Sequence, residues 1–326
     1  MFVLCSSLKT MTGDRPVLIL AGPTGSGKSA LALALASKFA GTVINADSMQ
    51  VYAELRVLTA RPSPADEELV PHRLYGVAPA SERWSVGRWL AAARMEIEAA
   101  WQVGRLPVVT GGTGLYLKAL TEGLSPLPAV SAELCRDLEA LYEQEGGAKF
   151  RERLRSFDPD AAARLPATDR QRLVRAMAVA RGTGRALTAW HEIHPPRPAL
   201  AARFATIMLL PPREDLYRRL DARFVEMLAN GAVPEVQRLL DLNLDAGLPA
   251  MKALGVAELA RFLKGETTLA QACAQGQAAT RRYAKRQLTW LRHQMTASLV
   301  IEDEAPEEAC ASAEAFMRAF LLTPGP

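Results

Sequence analysis

Gly22-Pro23-Thr24-Gly25-Ser26-Gly27-Lys28-Ser29 decides how this chain is read. The apolar run Val17-Leu18-Ile19-Leu20-Ala21 precedes it, and Ala30-Leu31-Ala32-Leu33-Ala34-Leu35-Ala36 follows in a helical pattern. Strand, glycine loop and helix in that order are the context in which G-x-x-x-x-G-K-[ST] binds phosphate. The glycines reach backbone angles closed to other residues, so successive amides turn inward. Those amides and the positive end of the helix form a nest for phosphate oxygens. Lys28 adds a mobile cation, and Ser29 offers a hydroxyl to Mg²⁺. The loop establishes phosphate binding, not which phosphate compound is bound or what is done to it.

Composition bounds the rest. The 326 residues suffice for one large domain or two modest ones, and a hydrophobic fraction of 49% is that of a folded protein. No apolar run is long enough to span a membrane, and the first eight residues are too short and weakly patterned for a secretory signal. Met11 is a second candidate start. Cys5, Cys135, Cys273 and Cys310 show no paired spacing, which argues for a reducing, cytoplasmic setting and against structural zinc. Net charge is only +4, from 39 basic and 35 acidic residues, so any nucleic-acid affinity must come from how the charge is distributed.

The first half alternates strand and helix, as a parallel α/β sheet does. Strands are predicted over residues 17–21, 42–45 and 107–110, and helices over 28–39 and 85–103. Pro62, Pro64 and Pro71 punctuate a loop region containing a short helix. Residues 126–199 carry helical patterns only, over 132–145, 148–156 and 169–181, and close in Pro195-Pro196-Arg197-Pro198. An apolar strand returns over 205–210. Helices follow over 214–230, 234–242, 251–264 and 268–293, then a last edge strand over 297–301 and a weakly helical tail beyond Pro306. The expected architecture is an α/β parallel-sheet core in two parts, 14–125 and 200–326, interrupted by an all-helical insertion domain over 126–199.

Three stretches carry chemistry. Asp47 stands where the second strand ends, and ligands collect at the carboxyl ends of strands in such sheets. A carboxylate there can act as a general base or orient metal-bound water; a turn-capping Asp reads the same way. Thr110-Gly111-Gly112-Thr113-Gly114 follows a buried strand, so its glycines allow close approach of a ligand and Thr113 can donate and accept at its edge; a tight turn with Thr113 as helix cap is the alternative. In the long carboxyl-terminal helix, Arg281, Arg282, Lys285 and Arg286 crowd like charges one turn apart. Either phosphate or acids from other segments must relieve that repulsion. A second basic cluster, Arg164, Arg170, Arg172, Arg175, Arg181 and Arg185, lies in the helical region. Two separated basic faces suit one long polyanion. His191-Glu192-Ile193-His194 lacks the one-turn spacing of a zinc pair and reads as a loop with ordinary histidines.

These residues together resemble the bacterial tRNA dimethylallyltransferases, also called tRNA isopentenyltransferases. The matching stretches are 22–29, 47–52, Thr59-Ala60-Arg61-Pro62-Ser63, Pro71-His72-Arg73-Leu74, 111–116 with Glu122-Gly123-Leu124-Ser125-Pro126, and 280–290, in the family's order across nearly the whole chain. The resemblance implies a P-loop NTPase-like fold with a helical insertion. It implies transfer of a dimethylallyl group from dimethylallyl diphosphate to the N6 amino group of the adenosine 3′-adjacent to the anticodon, with diphosphate released. The tRNA anticodon stem-loop would be gripped between core and insertion, and the adenosine turned out of its stack. By position, Asp47 matches the general base and Thr113 its partner at the reacting centre. Gly22 to Ser29 and Arg223 match the diphosphate site, with Mg²⁺ at Ser29. Asp47, Ser48, Met49, Gln50 and Thr113 match tRNA-contacting positions. So do Gln171, Arg172, Leu173, Val174 and Arg175, and Arg136 with a one-residue slip against Cys135. Arg281, Arg282, Lys285 and Arg286 complete the expected tRNA face. A monomer is expected, with no membrane partner. Arg61 stands where lysine is more frequent, and Gly255-Val256-Ala257 replaces a Gly-Tyr-Lys-type start. A small-molecule kinase using ATP and a non-catalytic RNA-binding protein are the competing readings of the same loop.

Overall fold

The computed structural model describes residues 15–303 and 305–323; Cys5 and the candidate start at Met11 lie outside them. In chain order the elements begin β1 (Pro16–Ala21), α1 (Lys28–Lys38), β2 (Gly41–Asn45), α2 (Pro64–Leu69), β3 (His72–Arg73), α3 (Val86–Gln102), β4 (Leu106–Gly111) and α4 (Gly114–Glu122). Five helices follow: α5 (Ala132–Glu145), α6 (Gly147–Arg155), α7 (Pro159–Arg164), α8 (Arg170–Thr183) and α9 (Leu187–Ile193). The chain returns as β5 (Arg203–Leu209), α10 (Arg213–Ala229), α11 (Ala232–Asp241), α12 (Val256–Leu263), α13 (Leu269–Gln294), β6 (Leu299–Ile301) and α14 (Pro306–Leu322). Two compact units result, one of Met1–Thr121 with Ala199–Pro326, the other Glu122–Pro198.

In the larger unit all six strands lie in one parallel sheet, ordered β3-β2-β4-β1-β5-β6. Every residue of β1 and β4 is buried, as expected of a parallel sheet covered on both faces. Alternation along a strand sends successive side chains to opposite faces. Val17 and Ile19 meet Trp89, Ala93 and Ile97 of α3, Leu117 of α4 and Leu288 of α13 on one face. Leu18 and Leu20 meet Leu31 and Leu35 of α1 and Ala313 and Met317 of α14 on the other. A satellite cluster under the loop after β2 joins Val51, Tyr52 and Leu55 to Val236, Val256 and Leu259.

The smaller unit is built from helices and has its own core of Leu138, Phe150, Leu154, Leu173 and Met177. Asp158 is fully buried there. It accepts from Ala161 N at 3.0 Å, Thr188 Oγ1 at 2.9 Å and Thr188 N at 3.1 Å, which ties α7 to α9.

Several expectations change. The helix expected over 251–264 is a short 3₁₀ turn, Ala250–Lys252, followed by α12. Gly255 between them has φ 90°, which a continuous right-handed helix cannot contain. His191 lies in a helix, α9, with His194 just past its end stacked on Trp190; the stretch is not a loop. The tail is a 17-residue helix. Two of its three buried anchors, Ala309, Ala313 and Met317, are alanines, so the hydrophobic stripe reads weakly in sequence. Among the described residues, Cys135, Cys273 and Cys310 are free thiols, no three His, Cys, Asp or Glu gather to hold a metal, and no helix is long and apolar enough to cross a membrane.

Candidate active site

The chain runs from β1 to strands on one side of it and then crosses to β5 on the other, so β1 lies at the switch point where such sheets open a crevice. The loop after β1 occupies that crevice. Gly25 and Gly27 hold φ of 78° and 88°, a region that favours glycine. A Cβ on Gly25 would also lie 2.8 Å from Leu220. Gly27 precedes α1, whose first turn contains no acidic residue to compete for an anion. Lys28 folds back so that its Nζ donates to Pro23 O at 3.1 Å. Burial pulls the Lys28 ammonium down to about 8, against the carboxylate of Asp47 and with the cation Arg223 lowering it further. The Arg223 guanidinium, from α10, is also lowered by burial, with Asp47 opposing. Asp47 thus faces both cations, with Glu226 adding a further carboxylate near Arg223.

Asp47 is placed by its neighbours. Its N–H donates to Asn45 Oδ1 at 2.7 Å, and Asn45 Nδ2 donates to Asp47 O and Leu74 O, both at 3.0 Å. Trp89 Nε1 donates to Asn45 O at 2.7 Å from beneath. Asp47 Oδ1 accepts from Met49 N at 2.8 Å, whereas Oδ2 has no hydrogen-bond partner among the described residues. Thr113 is joined to the same loop: its Oγ1 accepts from Ser48 N at 2.9 Å, and its N–H donates to Ala46 O at 3.2 Å. Gln50 points elsewhere, donating to Thr59 O and Ala60 O. Arg61 donates to Ala53 O at 3.2 Å, bracing this loop.

The glycines after β4 serve protein contacts rather than ligand approach. A Cβ at Gly111 would lie 2.2 Å from the Ala46 backbone, one at Gly112 2.3 Å from Gln287, and one at Gly114 2.1 Å from Trp290. Helix α13 therefore docks directly on this run. Its Tyr283 lies beside Thr113; burial and then the charge of Asp47 push the Tyr283 phenol up.

A cavity of about 260 Å³ opens beside these groups. Thr24, Asp47, Ser48, Met49, Arg223 and Tyr283 are in its wall, with Leu58, Leu220 and Phe224 supplying apolar surface. Arg286 also reaches it. Ser29 faces a different recess, of about 240 Å³, together with Thr110, whose buried hydroxyl lacks a partner. The loop 56–58 beside the cavity is held by Glu235 of α11, itself only 3% exposed. Its carboxylate accepts from Arg56 N and Val57 N at 2.8 Å and from Leu58 N at 2.9 Å.

The basic residues separate into kinds. Arg281 is ion-paired with Asp221. Arg282, Lys285 and Arg286 have no acidic partner among the described residues and border a shallow surface groove with Trp290. In the smaller unit Arg136, Gln171, Arg172 and Arg175 are exposed. Leu173 and Val174 are instead buried in that unit's core, so their side chains cannot reach a nucleic acid. Sequence reasoning missed Asn45, Glu235, Tyr283 and Gln287. An Asn two residues before Asp47 at a strand end was a usable signal; the others become visible only when distant segments meet.

With this geometry in hand, comparison with known proteins is direct. The IPP transferase family model matches residues 50–294, and an isopentenyl transferase model matches 15–76. A tRNA dimethylallyltransferase of Rhodospirillum centenum is 54% identical over 288 residues, 88% of this chain and 92% of that protein. One of Paramagnetospirillum magneticum is 48% identical over 308 residues, 94% and 98% of the two chains. Among solved structures, the tRNA isopentenylpyrophosphate transferase of Bacillus halodurans matches with a TM-score of 0.68 at 28% identity over 94% of this chain and 96% of that one. A eukaryotic dimethylallyltransferase acting on tRNA gives 0.78 at 25% identity over 94% and 80%. A family model spanning most of the sequence, and relatives about half identical along nearly their whole length, place the chain plainly: it belongs to the IPP transferase family.

Proposed function

We propose that this enzyme transfers a dimethylallyl group from dimethylallyl diphosphate to the N6 amino group of the tRNA adenosine 3′-adjacent to the anticodon. The observation that supports this reading best is that Asp47, Arg223 and Thr24 of the phosphate loop line one cavity, with the buried Lys28 ammonium close enough to feel the charges of Asp47 and Arg223. The adenine nitrogen forms a bond to the allylic carbon while the bond from that carbon to the diphosphate oxygen breaks. Diphosphate leaves with the electron pair, and the N6 proton passes to the free oxygen of Asp47. An exocyclic purine amine is a weak nucleophile, so a positioned carboxylate helps as charge develops. The loop amides, Lys28 and Arg223 stabilise the negative charge that builds on the departing diphosphate. Thr113 and Tyr283 hold the loop that carries Asp47. Arg282, Lys285 and Arg286, with Gln171, Arg172, Arg175 and Arg136 of the smaller unit, supply tRNA phosphate contacts, which position the RNA without reading its sequence.

Mg²⁺ fits this site. Ser29 closes the phosphate loop and would hold the ion through its hydroxyl, in a recess it shares with the unpartnered Thr110 hydroxyl and distinct from the cavity that Asp47 lines; no protein carboxylate cage is needed because Mg²⁺ keeps waters and binds substrate phosphates. When bound, it would neutralise diphosphate charge.

The reading is tested by incubating the protein with dimethylallyl diphosphate labelled in the allyl group and unmodified tRNA. Label should appear on the tRNA with one diphosphate released per transfer. ATP-dependent phosphorylation of a small molecule, or RNA binding without transfer, would sink it; the relatives support neither of those alternatives.

The depressed Lys28 adds a pH prediction. Its cation is present below a pH of about 8 and is lost as pH rises through that value. Affinity for inorganic diphosphate should fall across that step, and binding above it should take up a proton, because the anion favours the charged lysine. Calorimetry in buffers of different ionisation heat checks this, with Lys28→Met losing the proton uptake.

A further inference from the structure

Gln287 lies on α13, 263 residues in sequence from Thr24, yet its Oε1 accepts from the Thr24 N–H at 2.9 Å. Its Nε2 donates to Gly112 O at 2.8 Å. The side chain is 6% exposed, and both ends of its amide are used. No other side chain from beyond α1 hydrogen-bonds to residues 22–27 among the described residues. Gly112 is a glycine for the same reason, since a Cβ there would lie 2.3 Å from Nε2. The helix that presents Gln287 is itself fixed, with Ala284, Leu288 and Leu291 buried in the cluster that contains Val17 and Ile19 of β1. One turn earlier on the same helix, Tyr283 meets Thr113. One turn later, Trp290 covers Gly114. A single rigid face of α13 thus grips both the phosphate loop and the Thr113 loop, while Arg282 and Lys285 on the same helix face outward.

We propose that Gln287 is a positioning residue that holds the diphosphate-binding loop and the Thr113 loop in register, so that the leaving group and the attacking nitrogen are presented at a fixed separation. The proposal rests on the reading of the cavity as the transfer site. An amide suits the task because it carries a donor and an acceptor at opposite ends of one planar group. The two loops come from different strands, and misplacing one reacting group against the other by about an ångström can cost about a hundredfold in rate.

Two variants test this. Gln287→Leu keeps the bulk and removes both bonds. It should bind inorganic diphosphate about tenfold more weakly, raise KM for dimethylallyl diphosphate and lower kcat, and leave KM for tRNA unchanged. Gln287→Glu can satisfy both Thr24 N–H and Gly112 O only when its carboxyl is protonated. Its kcat/KM relative to the unmodified protein should therefore rise as pH falls. Unchanged diphosphate affinity in folded Gln287→Leu, or a Gln287→Glu ratio that is flat with pH, would overturn the role; if the leucine variant fails to fold, the glutamate ratio decides. If the unmodified protein transfers no dimethylallyl group, the functional reading fails, and diphosphate calorimetry on both variants still decides whether Gln287 sets the loop.

Discussion

Asp47→Asn should lower kcat by about 10²–10⁴-fold while leaving tRNA affinity within about twofold, the loss expected when a general base is removed. Asparagine is the sharper variant because its Oδ1 can still accept from Met49 N, so the turn formed at 2.8 Å survives. What disappears is the second oxygen, which no protein group occupies and which lies in the cavity wall. Asp47→Ala removes both and should be as inactive, with a further small loss of stability. Single-turnover transfer of labelled dimethylallyl, measured beside tRNA binding, separates the possibilities. Normal chemistry with failed tRNA binding would reassign Asp47 to recognition. Asp47 also faces Lys28 and Arg223, so its loss removes negative charge from beside both and leaves Arg223 with Glu226 alone. Diphosphate should then bind at least as tightly to the variant, an effect opposite in sign to the loss of rate.

Glu235→Ala should lower stability by about 3–5 kcal/mol, since each buried amide left without its acceptor costs about 1–3 kcal/mol. Three consecutive amides, Arg56, Val57 and Leu58, lose their acceptor together, and the bond from Leu58 N is buried. In thermal unfolding this corresponds to a fall of about 4–7 °C for a chain of this size. Glu235→Gln keeps one acceptor oxygen but turns an NH₂ group toward the N–H donors, so it should recover only part of the loss. Because Leu58 and Thr59 line the cavity, the alanine variant should also bind substrate more weakly at temperatures where it remains folded. An unchanged melting temperature would show that solvent reaches the loop and that the carboxylate is replaceable.

What could be read in advance, and what could not, follows from the range of the interactions. The phosphate loop is local: its glycines, Lys28 and Ser29 are neighbours in sequence, and the flanking strand and helix carry their own periodicity. Asp47 and Thr113 were legible because the ends of strands in a parallel sheet converge on one edge whatever their spacing in the chain. The break at Gly255 was hidden, because glycine in an apolar run does not announce a left-handed φ. Helix α14 was underread because alanine anchors are small. The purpose of Gly111, Gly112 and Gly114 was misread: the atoms that approach them belong to Ala46, Gln287 and Trp290.

The opening octapeptide and the alternation of strand and helix were therefore determined by sequence alone, since each depends on residues within a turn or a strand of one another. Tertiary structure decided which groups complete the site. Glu235 reaches the loop at residues 56–58 across 177 to 179 positions, and Gln287 reaches the phosphate loop across 263. A hydrogen bond is made within about 3 Å, so partners that far apart in sequence are chosen by how the elements pack, and no local pattern encodes them.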